Sequence, residues 1–150
     1  VISCLKATYN VYAIWAMPNA SDRKLSYVGQ ILAGLDYYDD IGERNTILVG
    51  DFNSNAIWDG IKKHGNHADL IQQLNHVQVY SIYHRLLKEE HGEESIPTQY
   101  MYKHIDKPYH LDYCCMAENL YKSDLSIDIG EYGKWKPYSD HMPIIIRGIK

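Results

Sequence analysis

The amino-acid sequence predicts one domain, or part of one, in which strands and helices are mixed. Ile47–Gly50 is a short apolar run that ends in glycine, which is typical of an internal strand covered on both faces. Apolar side chains recur at helical spacing from Leu25 to Tyr38 and predict a helix after an N-cap at Ser21-Asp22. Residues 143–149 predict a closing apolar strand. No repeat, low-complexity tract or linker divides the 150 residues, which are enough for one core.

The other elements are predicted from shorter patterns of the same kind. Further strands are expected at residues 1–16, 77–80, 100–102, 111–116 and 127–129. Further helices or helical turns are expected at residues 67–74, 81–90, 117–123 and 131–138. The charged, glycine-containing segment 89–95 is expected to be a mobile loop.

Composition narrows the classes of function. The formal net charge of −4 disfavours a non-specific nucleic-acid binder, but it does not exclude a metal-dependent enzyme, whose carboxylates hold the cation. Tyrosine is abundant, with 14 residues against one Phe, which suits half-exposed strand faces and contact surfaces. Three cysteines, two of them adjacent, indicate a reduced, cytoplasmic protein rather than a disulfide framework.

Neither a membrane span nor a conventional metal-binding motif is predicted. No stretch approaches the ~20 apolar residues that a span requires, and no signal peptide opens the chain, so a membrane partner is not expected. His64 and His67 are close in sequence, but Gly65 and Asn66 separate them. We interpret this pair as loop residues rather than as metal ligands.

Three polar clusters lie beside predicted strands. Asp51 and Asn53 directly follow the strand 47–50, at the end where ligands bind in open α/β sheets. Asp112 lies inside an apolar run, and a buried carboxylate is costly unless something pairs with it. Ser139-Asp140-His141 immediately precedes the closing strand. Taken singly, each cluster is also compatible with a turn, a polar loop or a solvent-facing strand residue.

Taken in order, the clusters carry a family resemblance. Gly50-Asp51-Phe52-Asn53, His110-Leu111-Asp112-Tyr113 and Ser139-Asp140-His141 resemble the motifs of the endonuclease/exonuclease/phosphatase superfamily, which has the DNase I-like fold. The upstream segment Trp15–Ala20 is similar to exonuclease III-type members. The resemblance covers essentially the whole chain. It implies an α+β fold, a four-layer α/β/β/α sandwich with mainly antiparallel sheets, of which residues 1–150 are the C-terminal portion of a single domain.

The resemblance also implies a phosphoester hydrolase that uses Mg²⁺ or Mn²⁺. His141 would donate to phosphate oxygens in the transition state, and Asp112 would orient its ring. Asp51 would position or deprotonate the attacking water, with Asn53 beside it on the phosphate. The implied metal ligands are Asp140, Asp51 and Asn53. The implied substrate-binding residues are Asn53, Trp15 and Asn55.

Two departures from the family pattern leave alternatives open. Family domains are longer and supply an Asn and a metal-binding Glu from an earlier half, for which no strand here carries a counterpart. Ala16, next to Trp15, stands where exonuclease III-type members have Tyr. We expect a nuclease that acts on DNA in preference to RNA. The alternatives are a hydrolase of small phosphate esters or lipid headgroups, and an inactive binding or structural module.

The departures also predict a partner for the chain. A lone half of the family fold would leave a sheet edge and an apolar face open to water, which invites pairing with another chain. We therefore expect residues 1–150 to associate with a second copy, as a homodimer, or with a complementary N-terminal segment.

Overall fold

A computed structural model describes residues 2–4, 7–43, 45–60 and 65–149. The strands in this part of the chain are β1 Ile2–Cys4, β2 Ala7–Trp15, β3 Thr46–Asp51, β4 Val79–Ser81, β5 Gln99–Tyr100, β6 Pro108–Tyr109, β7 Asp112–Ala117, β8 Ser126–Ile129 and β9 Ile144–Arg147. The helices are α1 Val28–Tyr37, α2 His67–His76, α3 Ile82–Leu87 and α4 Tyr132–Trp135. Short 3₁₀ turns lie at Arg23–Leu25, Ala56–Trp58, Met101–Lys103 and Glu118–Leu120.

A five-stranded sheet with the order β1-β2-β3-β7-β4 is the centre of the structure. Strands β2 and β3 run parallel, and the other neighbouring pairs of this sheet are antiparallel. Strands β5 and β6 form one antiparallel pair, and β8 and β9 form another. Because β3 lies between β2 and β7, the predicted internal position of residues 47–50 is confirmed.

Both faces of this sheet are covered, because alternate strand residues point to opposite sides. Leu48 packs in a core cluster with α1 and α2, to which Ile31 and Leu70 belong. Its neighbour Ile47 packs in a second cluster with α3 and the β8–β9 pair, which includes Ile82. This burial on both faces explains why residues 47–49 are apolar without alternation.

The first predicted helix begins later than its apolar spacing indicates. Arg23–Leu25 forms a separate 3₁₀ turn, in which the Lys24 amide donates to the Asp22 carboxylate at 2.9 Å. The predicted cap at Asp22 is therefore present, but it caps this turn. Tyr27 then adopts a φ of 50°, which is outside the right-handed helical region, so α1 begins only at Val28.

The segment 89–95 is a loop, but hydrogen bonds hold it against the fold, unlike the mobile loop that its composition predicts. The Tyr83 hydroxyl donates to the Glu89 carboxylate at 2.6 Å, and the Ser95 amide donates to the same group at 2.8 Å. Glu94 accepts from the side chain of Asn55 at 3.0 Å. These contacts fix both ends of the segment.

Two further findings bear on the sequence predictions. Cys114 and Cys115 on β7 are buried and free. Among the residues that the structure describes, no helix is long and apolar enough to cross a membrane.

Candidate active site

Two carboxylates meet where β3 ends and β7 begins. The antiparallel register pairs Asp51 with Asp112, and the parallel register on the other side pairs Asp51 with Trp15. Side chains of directly opposed residues lie on the same face of a sheet, and like charges in that arrangement are destabilising. This edge of the sheet therefore concentrates negative charge that needs a positive partner.

His141 supplies one such partner. Its Nδ1 lies 2.9 and 3.1 Å from the two carboxylate oxygens of Asp112, so the predicted pairing of these side chains is confirmed. The hydrogen bond to Asp112 raises the pKa of His141 above its ordinary value, although burial acts in the opposite direction. Both side chains stay partly accessible, with 32% of His141 and 17% of Asp112 exposed. A ligand can therefore reach the ring.

Backbone contacts that the sequence motifs do not show hold this pair in place. The buried Thr98 hydroxyl accepts hydrogen bonds from the amides of Leu111 and Asp112, both at 2.9 Å. A β-bridge joins Gln99 to His141, next to the hydrogen bond from the Met142 amide to the Thr98 carbonyl. The segment around Thr98 thus ties the start of β7 to the Ser139-Asp140-His141 cluster. Thr98 lies in none of the motifs, so sequence reasoning missed it.

Asp51 and Asn53 form a closed turn at the end of β3. The Asn53 amide and its side-chain Nδ2 each donate to the Asp51 carboxylate at 2.8 Å, and Nδ2 also donates to the Ala16 carbonyl at 2.9 Å. Asn53 has a φ of 45°, in the left-handed region that asparagine tolerates well. Both side-chain N–H groups of Asn53 are thus engaged, which favours an anchoring role in this state.

The electrostatic setting of Asp51 differs from that of an ordinary surface carboxylate. Burial raises the pKa of Asp51, the backbone hydrogen bond from Asn53 opposes the rise, and the charge of Asp112 adds to it. The charge of His141 lowers the pKa of Asp51, and the charge of Asp140 raises it. Asp140 is half-buried, and its backbone carbonyl accepts from the Tyr100 amide at 2.7 Å. Asp51, Asn53, Asp112, Asp140 and His141 therefore form one site.

The two remaining predicted residues lie at different depths. Trp15 is 72% exposed and forms part of the rim beside Asp51. Asn55 is only 3% exposed, and its Nδ2 donates to the Glu94 carboxylate and to the His110 carbonyl, both at 3.0 Å. Asn55 therefore holds the loop after β3 in place, and it also lines the cleft beside this turn.

A cleft of about 670 Å³ opens next to this turn. Asn53 lines it, together with Trp58, whose ring packs against Tyr109 at 5.3 Å between centroids. Arg23 also lines the cleft and brings a positive charge. Trp58 and Arg23 lie in short 3₁₀ turns outside the recognised motifs, so no pattern in the sequence marked them.

The donor set of the site fits a divalent cation. Asp51, Asp112 and His141 each offer a ligand atom, and these atoms all lie within 4.8 Å of one another. Because Asp112 is engaged with Nδ1 of His141, Asp51 and the nearby Asp140 are the carboxylates left to hold an ion, and Asp51 would use the lone pairs that Asn53 does not occupy. A site dominated by carboxylate oxygens suits Mg²⁺ or Mn²⁺ better than a softer metal.

Comparison with solved structures identifies a similar fold. The structure matches a 3'-5' exonuclease (NExo) from Neisseria meningitidis with a TM-score of 0.64. The chain has a nuclease-like α+β fold. The two sequences are 17% identical, and the match covers 91% of this chain but 60% of the exonuclease. No protein-family model matches the sequence, and no match was found among curated proteins.

Proposed function

We propose that the protein is a metal-dependent phosphodiesterase of the endonuclease/exonuclease/phosphatase type, and that DNA is its favoured substrate. The observation that carries the proposal is the Asp112–His141 pair directly across the sheet edge from Asp51. A similar fold in a 3'-5' exonuclease supports a nucleic-acid substrate.

In this proposal each side chain has a distinct task. Nδ1 of His141 donates to Asp112, which leaves Nε2 to donate to a phosphate oxygen as charge develops in the transition state. Asp51 orients the attacking water and accepts its proton. Asn53 holds the Asp51 carboxylate in place.

The proposed cofactor is Mg²⁺ or Mn²⁺, held by Asp51 and Asp140 with Asn53 beside them. When bound, the ion neutralises charge on the phosphate and polarises its oxygens. Opposed carboxylates at this edge explain why a cation would be favourable there, since a protonated His141 offsets only one of them.

The remaining features of the family resemblance belong to the proposal as well. The chain spans 60% of the length of the exonuclease that it matches. We infer that residues 1–150 form the C-terminal portion of a four-layer sandwich, completed by a complementary N-terminal segment or by a second copy. The free, buried Cys114 and Cys115 support a reducing, cytoplasmic location.

A second candidate is the hydrolysis of small phosphate esters or lipid headgroups. It is favoured by the net charge of −4, which is not the basic balance of a typical DNA-binding protein. A third candidate is an inactive binding or structural module, because no counterpart of the family's metal-binding Glu occurs in residues 1–150.

One assay series separates the three candidates. The purified natural protein is incubated with labelled DNA, labelled RNA and a small aryl phosphodiester, each with Mg²⁺, with Mn²⁺ or with a chelator. We expect cleavage of DNA with either metal, loss of cleavage in the chelator and recovery when metal is restored. Cleavage that resists the chelator would contradict the proposal. Turnover of the small ester alone would favour the second candidate, and no turnover of any substrate would favour the third.

A further inference from the structure

A second cluster of titratable side chains lies behind the candidate active site. His84, His91 and Glu94 each offer a ligand atom, and these atoms all lie within 4.8 Å of one another. His67 adjoins them, with its Nε2 3.0 Å from Nδ1 of His91. His67 is buried and is the first residue of α2, which agrees with the helix predicted at residues 67–74 and not with the interpretation of His67 as a loop residue. His64 lies outside the described residues.

The cluster is assembled from three elements that packing brings together. His84 lies on α3, His91 and Glu94 lie in the loop after it, and His67 opens α2. The rings of His84 and His91 stack at 3.5 Å between centroids with 18° between their planes. Side chains of His84 and Glu94 are only 10% and 3% exposed. These groups are therefore largely removed from water.

The distance between His84 and Glu94 is close to that between two ligand atoms of one metal ion. Nδ1 of His84 lies 2.7 Å from the Ser81 hydroxyl, which leaves Nε2 facing the Glu94 carboxylate at 3.0 Å. Two ligand atoms of a tetrahedral zinc ion lie ~3.3 Å apart, because each bond is ~2.0 Å long. Nε2 of His84 and the Glu94 carboxylate oxygen need to move apart only slightly for both to bind one ion.

We propose that His84, His91 and Glu94 bind a transition-metal ion, with Zn²⁺ as the best fit, at a site separate from the candidate catalytic centre. Imidazole nitrogens favour zinc, cobalt and nickel, whereas Mg²⁺ prefers an all-oxygen set. Ser81 contacts Nδ1 of His84, and His67 contacts Nδ1 of His91. Histidines that bind a metal through one ring nitrogen commonly hydrogen-bond a neighbouring group through the other. A bound ion lies in the plane of each imidazole ring, so the stacked rings must turn towards each other and move apart before both can bind.

An unsatisfied polar atom next to the cluster supports a ligand there. Nε2 of His110 is buried and has no hydrogen-bond partner among the residues that the structure describes. The His110 ring lies 6.1 Å from that of His84, and its residue is 4% exposed. A buried polar group without a partner is costly, and an ordered water on a nearby ion would satisfy it.

The proposed ion would brace the loop that follows β3. The second carboxylate oxygen of Glu94 accepts from Asn55, which lies two residues after Asn53. Fixing Glu94 therefore fixes the inner end of the turn that carries Asp51 and Asn53. The role is structural, and it does not depend on the proposed hydrolase activity.

Cobalt provides the direct test, because its absorption reports coordination. Metal-stripped natural protein is titrated with Co²⁺ in the presence of excess Mg²⁺, which occupies carboxylate sites. We expect one equivalent to bind, with the intense visible bands of a four-coordinate ion, and Zn²⁺ to displace it. Zn²⁺ should also raise the thermal midpoint of the protein.

Matched variants assign the ligands. His91→Ala and Glu94→Gln should weaken Co²⁺ binding by at least ~10-fold. His104→Ala, an exposed histidine, and Asp112→Asn should leave it unchanged. Glu94→Gln keeps the shape and an acceptor for Asn55, so it remains informative if His91→Ala fails to fold, which near-ultraviolet circular dichroism reports.

Two results would overturn the proposal. One is the absence of saturable Co²⁺ or Zn²⁺ binding by the folded protein. The other is binding that survives both His91→Ala and Glu94→Gln but is lost in Asp112→Asn, which would assign the ion to the candidate catalytic carboxylates.

Discussion

Asp112 lies opposite a second carboxylate, Asp51, and binds His141 with both of its oxygens. An arrangement of opposed like charges is unfavourable for folding alone. It is understandable as a site that accepts a cation and a phosphate, since functional sites commonly depart from the locally most stable choice. Single substitutions at these residues should therefore have effects that can be measured directly.

Removing the charge of Asp112 should lower the pKa of His141. The hydrogen bond to Asp112 raises the pKa of His141 in the folded protein. The pair therefore stabilises the fold fully below about pH 6.5, the pKa of an unfolded histidine. This contribution is lost as the pH rises through the higher pKa of the folded state. In the metal-free protein, Asp112→Asn should shift the His141 titration to lower pH by NMR. Asp128→Asn, at an exposed ion pair with Arg147, is the control and should leave it unchanged. An unmoved His141 titration in Asp112→Asn would contradict the pairing.

Trp15 should contribute to substrate binding and little to stability. Its ring is mostly exposed beside Asp51, and stacking of an aromatic side chain on a base is worth about 1–3 kcal/mol. Trp15→Ala should weaken binding of single-stranded DNA by roughly 5- to 150-fold in a fluorescence titration. Tyr37→Ala, an equally exposed aromatic residue on α1, should have no such effect. Equal affinities of the two variants would remove Trp15 from the proposed binding surface.

At the scale of elements, long periodic segments were predictable and local interruptions were not. β3 and α2 follow their patterns because tertiary packing agrees with local preference. The start of α1 differs because Tyr27 takes a positive φ that no spacing of apolar residues reveals. The loop 89–95 differs because its anchor, Asn55, is distant in sequence.

The candidate active site was likewise predictable from the sequence only in part. The order of the three motifs predicted that Asp51, Asp112 and His141 belong together, and the distances agree for the Asp112–His141 pair. Thr98 could not be predicted, because a single buried threonine with two backbone partners leaves no pattern. The histidine cluster behind the site likewise arises only from the packing of α2 and α3.

The buried histidines should make the metal-free protein sensitive to mild acid. Burial lowers the pKa of His67 to about 4 and that of His91 to about 3. In the unfolded chain, histidines take up protons below about pH 6.5, whereas these two buried histidines stay neutral in the folded protein. The free energy of unfolding is therefore full above pH 6.5 and decreases as the pH falls towards the folded pKa values of about 4 and about 3. Denaturant unfolding at pH 7.5 and pH 5 should show this loss.

The titration of Glu94 contributes little to the change in stability between pH 7.5 and pH 5. Burial acts to raise the pKa of Glu94, but hydrogen bonds from His84 and Asn55 prevail and lower it to about 2. Its contribution to stability is present above the unfolded value of about 4.5 and is lost only below it. His67→Gln should therefore flatten the pH dependence between 7.5 and 5, whereas His76→Ala, at an exposed position, should not. A stability independent of pH in this range would contradict the burial of neutral histidines.

At the scale of the whole molecule, the central question is what completes the sheet system. In the described part of the chain, β1 and β4 are the edge strands of the five-stranded sheet. Open edges invite pairing with another chain. We expect the 150-residue chain to sediment as a dimer at micromolar concentration, or to unfold more readily than ordinary domains of its length. A compact, cooperatively unfolding monomer would contradict the inference of a missing half.

The most direct test of the account is the turnover of DNA with Mg²⁺ by natural protein carrying Asp51→Asn or His141→Ala. Each variant removes one reacting group, so turnover should fall by about 10²- to 10⁴-fold. The free energy of unfolding should change by only about 1 kcal/mol, because both side chains are partly exposed. His104→Ala should retain full turnover. If folded Asp51→Asn and His141→Ala proteins cleave DNA at the rate of the unmodified protein, the assignment of the active site to this sheet edge is wrong.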